Sequence, residues 1–419
     1  MTSNIEFIIS QSDFTGVEEL PEILDGKFGS NILRWFISRV TEKEVFVEIT
    51  LSENEGYPFP QNRVEAYYPG KCVVINIIPT GIGCEIGGYA ADAAPITALL
   101  ASCTDYLITN PNAVNASNFI FMDKNVLYTE GYLIDQFCKG LVSLYEPYSN
   151  KVGVIIEKAN KQELEGIFNI INAVRAVHGI HIEDYVITDE PVGGCCEQNK
   201  SGSYVGKLED TAVLFGACER LIKKGINAIA VTTNIKNLPA ENYAKHFQGL
   251  HPNPVGGAEA IISHLICAKY KIPAAHAPLS NLKDMTLKDN IVDARGAGEF
   301  SSTSGLACIL IGLGKAPQIS TQNDCRIKDI VNINNLLAIV SPASALGGIP
   351  MLYAQKYNIP IIAVTDNKTI LDVTRSRLNL TNVIDVKSYA EAAGIIQALK
   401  NGISIRSIYR PLSTLKYKI

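Results

Sequence analysis

Apolar residues fall in short runs along most of this chain, and the runs alternate with stretches of helical spacing. From Lys71 onward the alternation is regular. The segments "KCVVINII", "DYLITN", "KVGVIIE", "DYVITD", "NAIAVTT", "LLAIVSP" and "PIIAVTD" are rich in β-branched residues and read as strands. Between them, "ADAAPITALLAS", "KQELEGIFNIINAVRAVHG", "LEDTAVLFGACERLIKKG", "GAEAIISHLICAKYK", "IPMLYAQKYN" and "SYAEAAGIIQALKNG" repeat apolar residues every three to four positions, as helices do. Apolar strands separated by helices predict parallel sheets covered on both faces. The expected fold is therefore α/β. Two Rossmann-like lobes with mainly parallel sheets are expected over residues 71–234 and 235–419, divided near the polar "TTNIKNLPAENY".

Residues 1–70 break this rhythm and predict a small N-terminal α+β cap. There "SNILRWFISRV" has helical apolar spacing and holds the single tryptophan, Trp35, while "EVFVEITL" alternates like a half-buried strand. The turn residues of "GYPFPQNR" lead out of the cap.

Composition narrows the function. The chain has 419 residues, 47% of them hydrophobic and 19% charged, as in an ordinary globular protein. A net charge of −5 gives no basic excess to draw it onto nucleic acid or an anionic membrane. No run of about 18 apolar residues is present to span a bilayer, and no basic-then-apolar leader opens the chain. The ten cysteines are scattered and form no C-x-x-C. These features predict a reduced cytoplasmic protein with a small-molecule substrate, no nucleic-acid or membrane partner, and self-association left open.

Ligands of parallel sheets bind outside the carboxyl ends of the strands, and nearly every such exit here is small and polar. "IPTGIGCEIGGYAADAAP" carries Gly81, Gly83, Gly87, Gly88 and Asp92. Its G-x-G-x-x-x-G-G departs from the dinucleotide fingerprint, and Asp105 stands at the wrong end of the following strand for a ribose partner. A substrate cradle is the first reading of these glycines, a structural turn the second and an NAD(P) loop the third. "TNPNAVNAS" adds Asn110, Asn112 and Asn115, "TEGYLID" adds Glu130, Tyr132 and Asp135, and "VTDNKT" adds Asn367. In "GGCCEQNKSGSYVG", Ser201 and Ser203 offer hydroxyls to an anion, whereas Cys195 and Cys196 are expected to be inert. "HPNPVGGAEAIISHLICAKYKIPAAHAPL" supplies Glu259, His264 and His276 for proton transfer. His276, at a strand end, is expected to face the cleft. His264, in a mostly apolar helix, is expected to weigh more on stability. The histidine spacing matches no compact metal signature, so no metal ligands are assigned, and the sequence names no cofactor.

Taken together, "PTGIGCEIGGYAADA", "TNPNAVNAS", "YTEGYLID", "GGAEAIISHL", "AAHAPL", "GLGKAPQ" and "ALGGIPMLYAQKYNIPIIAVTDNKT" resemble an uncharacterised family, a domain of unknown function best represented in cyanobacteria and plant plastids. Its members carry "PTGIGA-IGGYAGDA", "THPN-LN", "VEGYGLD", "AGAEAVISHL" and "CAHAP". The resemblance runs from about residue 70 to the C-terminus and implies no established reaction. It supports Gly81, Gly83, Gly87, Gly88, Asp92, Asn112, Asn115, Glu130, Asp135, Glu259, His264, His276 and Asn367 as family positions. The family histidine of "THPN" is Asn110 here, and the cysteine pair is peculiar to this chain.

The expected protein is an enzyme acting on a small, polar, anionic metabolite by general acid–base chemistry, as a lyase, isomerase or hydrolase. His276 or His264 would move the proton with Glu259 or Asp92 as partner. The glycines, Asn112, Asn115, Glu130, Ser201, Ser203 and Asn367 would hold the substrate. An NAD(P)-dependent oxidoreductase and a non-catalytic ligand-binding or regulatory protein are the alternatives.

Overall fold

The structure, a computed structural model, describes residues 1–14, 16–53, 59, 63–64, 70–89, 92–114, 124–279, 291–298, 304–321 and 330–417. Its centre is a six-stranded sheet in the order Val383–Val386, Ile361–Val364, Leu336–Pro342, Val73–Asn76, Tyr106–Thr109 and Val126–Tyr128. All its pairings are parallel. Val73, Val74, Ile75, Ile339, Val340, Ile361 and Ile362 have no exposed surface, as expected of strands covered on both faces. The chain winds outward in both directions from the adjacent strands Val73–Asn76 and Leu336–Pro342. Their junction is the topological switch point of a doubly wound sheet, where the loops leave in opposite directions and open a crevice.

A second parallel sheet is ordered Ala274–Pro278, Ala228–Thr233, Val152–Ile156 and Asp184–Ile187. Strand pairing thus crosses the expected division at residue 234: Ala228–Thr233 pairs with Ala274–Pro278, and the large sheet joins residues 73–128 to 336–386. The helix Gly256–Tyr270 packs against this second sheet and against the hairpin Gly194–Gln198/Tyr204–Leu208. Gly206 and Gly257 permit that packing, because a Cβ on Gly206 would stand 2.3 Å from Cα of Ala258.

The N-terminal block is an antiparallel sheet, ordered Thr2–Ser10, Glu44–Ser52 and Ile32–Val40, with the helix Leu20–Phe28. The segment expected to be a helix, around Trp35, is the strand Ile32–Val40. Leu33, Trp35 and Ile37 are buried at every second position and are β-branched or aromatic for the most part. Over nine residues the periods of 2 and 3.6 are hard to separate, and pairing with Glu44–Ser52 decides between them.

Candidate functional site

The loop that leaves Val73–Asn76 is pinned before it reaches its glycines. Asn110 Nδ2 donates to the carbonyl of Ile78 at 2.8 Å, and its Oδ1 accepts from Ile78 N at 3.1 Å. Asn112 Nδ2 donates to the carbonyl of Pro79 at 3.1 Å. Further along, Gly87 N donates to Asp92 Oδ1 at 2.5 Å, and Asn367 accepts from Ile86 N at 2.9 Å and donates to Tyr389 Oη at 2.8 Å. Burial raises the Asp92 carboxyl above its ordinary pKa, against the opposing effect of the Gly87 N–H.

The glycines approach the protein itself. A Cβ on Gly81 would meet the carbonyl oxygen of Tyr204 at 2.4 Å, and one on Gly88 would meet Cys84 N at 2.0 Å. Gly81, Gly83 and Gly87 also have positive φ. Of the predicted site residues, the binding candidates Gly81, Gly83, Gly87, Gly88 and Asn367 and the catalytic candidate Asp92 therefore build this loop rather than line the cavities beside it. Asn115 lies outside the described residues.

Two adjoining cavities, about 190 and 220 Å³, open at the strand ends. Thr80, Asn110, Gly131, Ala260 and His264 wall both. The first lies at the switch point and includes Ile77, Pro79, Ala345 and Gly348 from the two diverging loops. The second takes Asn112, Tyr128, Glu130, Glu259 and His276.

His264 stands between them. Its Nδ1 lies against Oε1 of Glu130 without the alignment of a directed hydrogen bond, and the two side chains keep only 10% and 3% exposure. The same Oε1 accepts from Ser263 Oγ at 3.0 Å. Oε2 accepts from Tyr132 N at 2.7 Å, so Glu130 is also the N-cap of the helix Gly131–Cys138. Gly131 leaves room for the imidazole, since a Cβ there would come within 3.2 Å of His264 Cε1.

His276 sits in the strand Ala274–Pro278 with no side-chain exposure. Its Nε2 is 2.8 Å from Thr233 Oγ1, and its Nδ1 is 3.7 Å from Glu259 Oε1. The structure thus brings His264, His276, Glu259, Glu130 and Asn112 together, and it pairs His264 with Glu130 rather than with Glu259 or Asp92.

Ser201 and Ser203 have a different partner. Ser201 Oγ donates to Glu48 Oε1 at 2.5 Å and Ser203 Oγ donates to Glu48 Oε2 at 3.0 Å, with Asn199 Nδ2 on the same carboxylate. They lock the hairpin turn to the N-terminal sheet, and Ser203 also reaches the first cavity. Cys195 and Cys196 belong to the strand Gly194–Gln198 of this hairpin and are buried, and burial pushes both thiols up. Among the described residues, no group of three or more His, Cys, Asp or Glu side chains is placed to hold a metal ion.

Two contributions escaped the sequence. Arg34 and Trp35 reach the first cavity from a strand read as a helix, and Thr233 supports His276 from a neighbouring strand. The "EGY" of "TEGYLID" was the legible trace of the cap that holds His264.

Residues 73–409 match the family described as "Protein of unknown function (DUF3326)". An uncharacterized lipoprotein of Synechococcus sp. is 34% identical over 350 residues, covering 82% of this chain and 96% of that protein. The chain belongs to this family. No solved structure matches it. Among the described residues, no helix is long and apolar enough to cross a membrane.

Proposed function

We propose that the protein is an enzyme that moves a proton on a small anionic metabolite, as a lyase, isomerase or hydrolase. One observation carries this reading: an imidazole backed by a buried carboxylate stands between two cavities at the sheet's switch point. Glu130 is held by Ser263 and by the helix backbone, so it fixes the ring of His264 and stabilises the imidazolium that proton uptake creates. With Nδ1 turned to Glu130, Nε2 is the nitrogen left to exchange a proton with bound substrate. Glu259, with 26% side-chain exposure on the wall of the second cavity, is a second carboxylate for the returning proton or for a polar group of the substrate.

The cavity size favours a small molecule over a dinucleotide. Space of roughly 150 Å³ holds a benzene-sized guest, and the two cavities are about 190 and 220 Å³. The loop glycines, moreover, meet protein where a dinucleotide loop would meet pyrophosphate, Gly81 and Gly88 against backbone and Gly87 against the side chains of Ile78 and Ala93.

The test is an untargeted one. Purified protein is incubated with a small-molecule extract of its native host, and mass spectrometry follows what is consumed and formed. Conversion of a small organic acid that ceases in His264→Gln supports the proposal. Conversion that survives both His264→Gln and Glu130→Gln at full rate refutes it, and saturable binding without conversion favours the regulatory reading.

A further inference from the structure

Resting on that reading of the cavity, we infer that Arg34 recognises a carboxylate group of the substrate. The N-terminal sheet that carries it lies outside the family match at residues 73–409, so this cation reaches the site from a part of the chain that the family match does not cover.

The strand is held firmly at the switch point. Ile37 N donates to the carbonyl of Gly347 at 2.9 Å, and Phe36 bridges Gly348. A Cβ on Gly347 would stand 2.4 Å from the Ile37 oxygen, so the approach needs that glycine. Arg34 thereby lines the same cavity as His264 and the two diverging loops.

The guanidinium lacks a matched counterion. Its Nε is buried with no hydrogen-bond partner. Glu48 is engaged by Asn199, Ser201 and Ser203. The carboxyl of Asp135, which lines the cavity too, is pushed up to about 7, mainly by burial, and so carries only part of a charge at neutral pH. A cation held deep with its Nε unpaired is costly, and a bound carboxylate answers both the charge and the fork of N–H groups. The cavity's other walls are largely apolar, with Trp35, Ile77, Ile82 and Met351 among them. Such walls suit a planar carboxylate group better than a tetrahedral phosphate, which needs more donors.

Malonate and inorganic phosphate serve as probes, titrated calorimetrically into the whole protein. Malonate should saturate one site in the wild type. Arg34→Gln should weaken it by about tenfold or more, and Arg34→Lys, which keeps charge but not the fork, by less. Arg39→Gln, on the exposed side of the same strand, should bind as the wild type does. Equal malonate affinity in wild type and Arg34→Gln, or no malonate binding at all, overturns the assignment. Phosphate binding that needs Arg34 in the absence of malonate binding also overturns it. Should Arg34→Gln fail to fold, a crystal structure of the wild type with malonate decides: a carboxylate on Arg34 supports the site, and malonate seated elsewhere refutes it. His264→Gln should keep malonate affinity within a few-fold, so loss of the carboxylate site and failure of the proton-transfer reading give different results.

Discussion

Oε1 of Glu130 touches Nδ1 of His264 and accepts from Ser263, while Oε2 of the same carboxylate caps the helix Gly131–Cys138 through Tyr132 N. One buried side chain thus orients the imidazole and starts the helix that walls the site. Glu130→Gln keeps an oxygen for the cap but loses the charge beside the ring. Turnover should fall by roughly 10²-fold or more, with little change in melting temperature. Glu130→Ala removes the cap as well and should lose a further ~1 kcal/mol of stability. Thermal denaturation alongside turnover separates the two effects.

Gly131 offers a cleaner split between stability and activity. A Cβ there would press on His264 Cε1 at 3.2 Å, so the ring must give by a few tenths of an ångström. The glycine opens a helix, where alanine is the better residue by up to about 1 kcal/mol. Gly131→Ala should therefore be as stable as the wild type or slightly more so, and yet turn over more slowly. A variant with unchanged turnover would show that the position of His264 is not critical.

Much of the fold was legible because strands such as "CVVIN" and "LLAIV" are apolar throughout, and their partners are set by helical connections. The strand Ile32–Val40 was not, because its nine residues satisfy two periods and only pairing with Glu44–Ser52 settles the matter. The site was half legible. "TEGYLID" and "GGAEAIISHL" hold the residues that meet, but the pairing of Glu130 with His264 is a tertiary contact with no local signature. The glycines misled for a related reason: a Gly needed for close approach looks the same whether the neighbour is a phosphate or Tyr204.

Asp135 makes stability depend on pH with a sign opposite to that of a salt-bridged carboxylate. Burial raises its carboxyl to about 7, while Lys139, His264 and Arg34 pull it down and Glu130 pushes it further up. The folded protein therefore holds this proton more tightly than the unfolded chain does. Stability from this group is fully present below pH ~4 and declines as pH rises to about 7, above which the loss is complete. Asp135→Asn, which keeps the shape without the charge, should gain about 2–4 kcal/mol at pH 8 and almost nothing at pH 4. Urea denaturation at the two pH values measures the difference. An equal effect at both would mean that Asp135 titrates normally.

The two histidines should exchange the roles that their sequence positions suggest. His276 was expected to face the cleft and His264 to weigh more on stability; His276 does wall the second cavity, but its side chain has no exposure while that of His264 keeps 10% between two cavities. The Nε2 of His276 is 2.8 Å from Thr233 Oγ1 on the adjacent strand, and the pair joins two strands of the second sheet. His276→Ala removes buried volume and strands a buried hydroxyl, which together cost about 2–4 kcal/mol. Thr233→Val should lose less, on the order of 1–3 kcal/mol, because it leaves only the imidazole nitrogen unsatisfied. His264→Gln should instead cost turnover by roughly 10²–10⁴-fold and leave the denaturation midpoint close to that of the wild type. Denaturation curves and rates for all three variants check the exchange. A His276→Ala protein of wild-type stability that has lost its activity would return the proton-transfer role to His276 and leave His264 as packing.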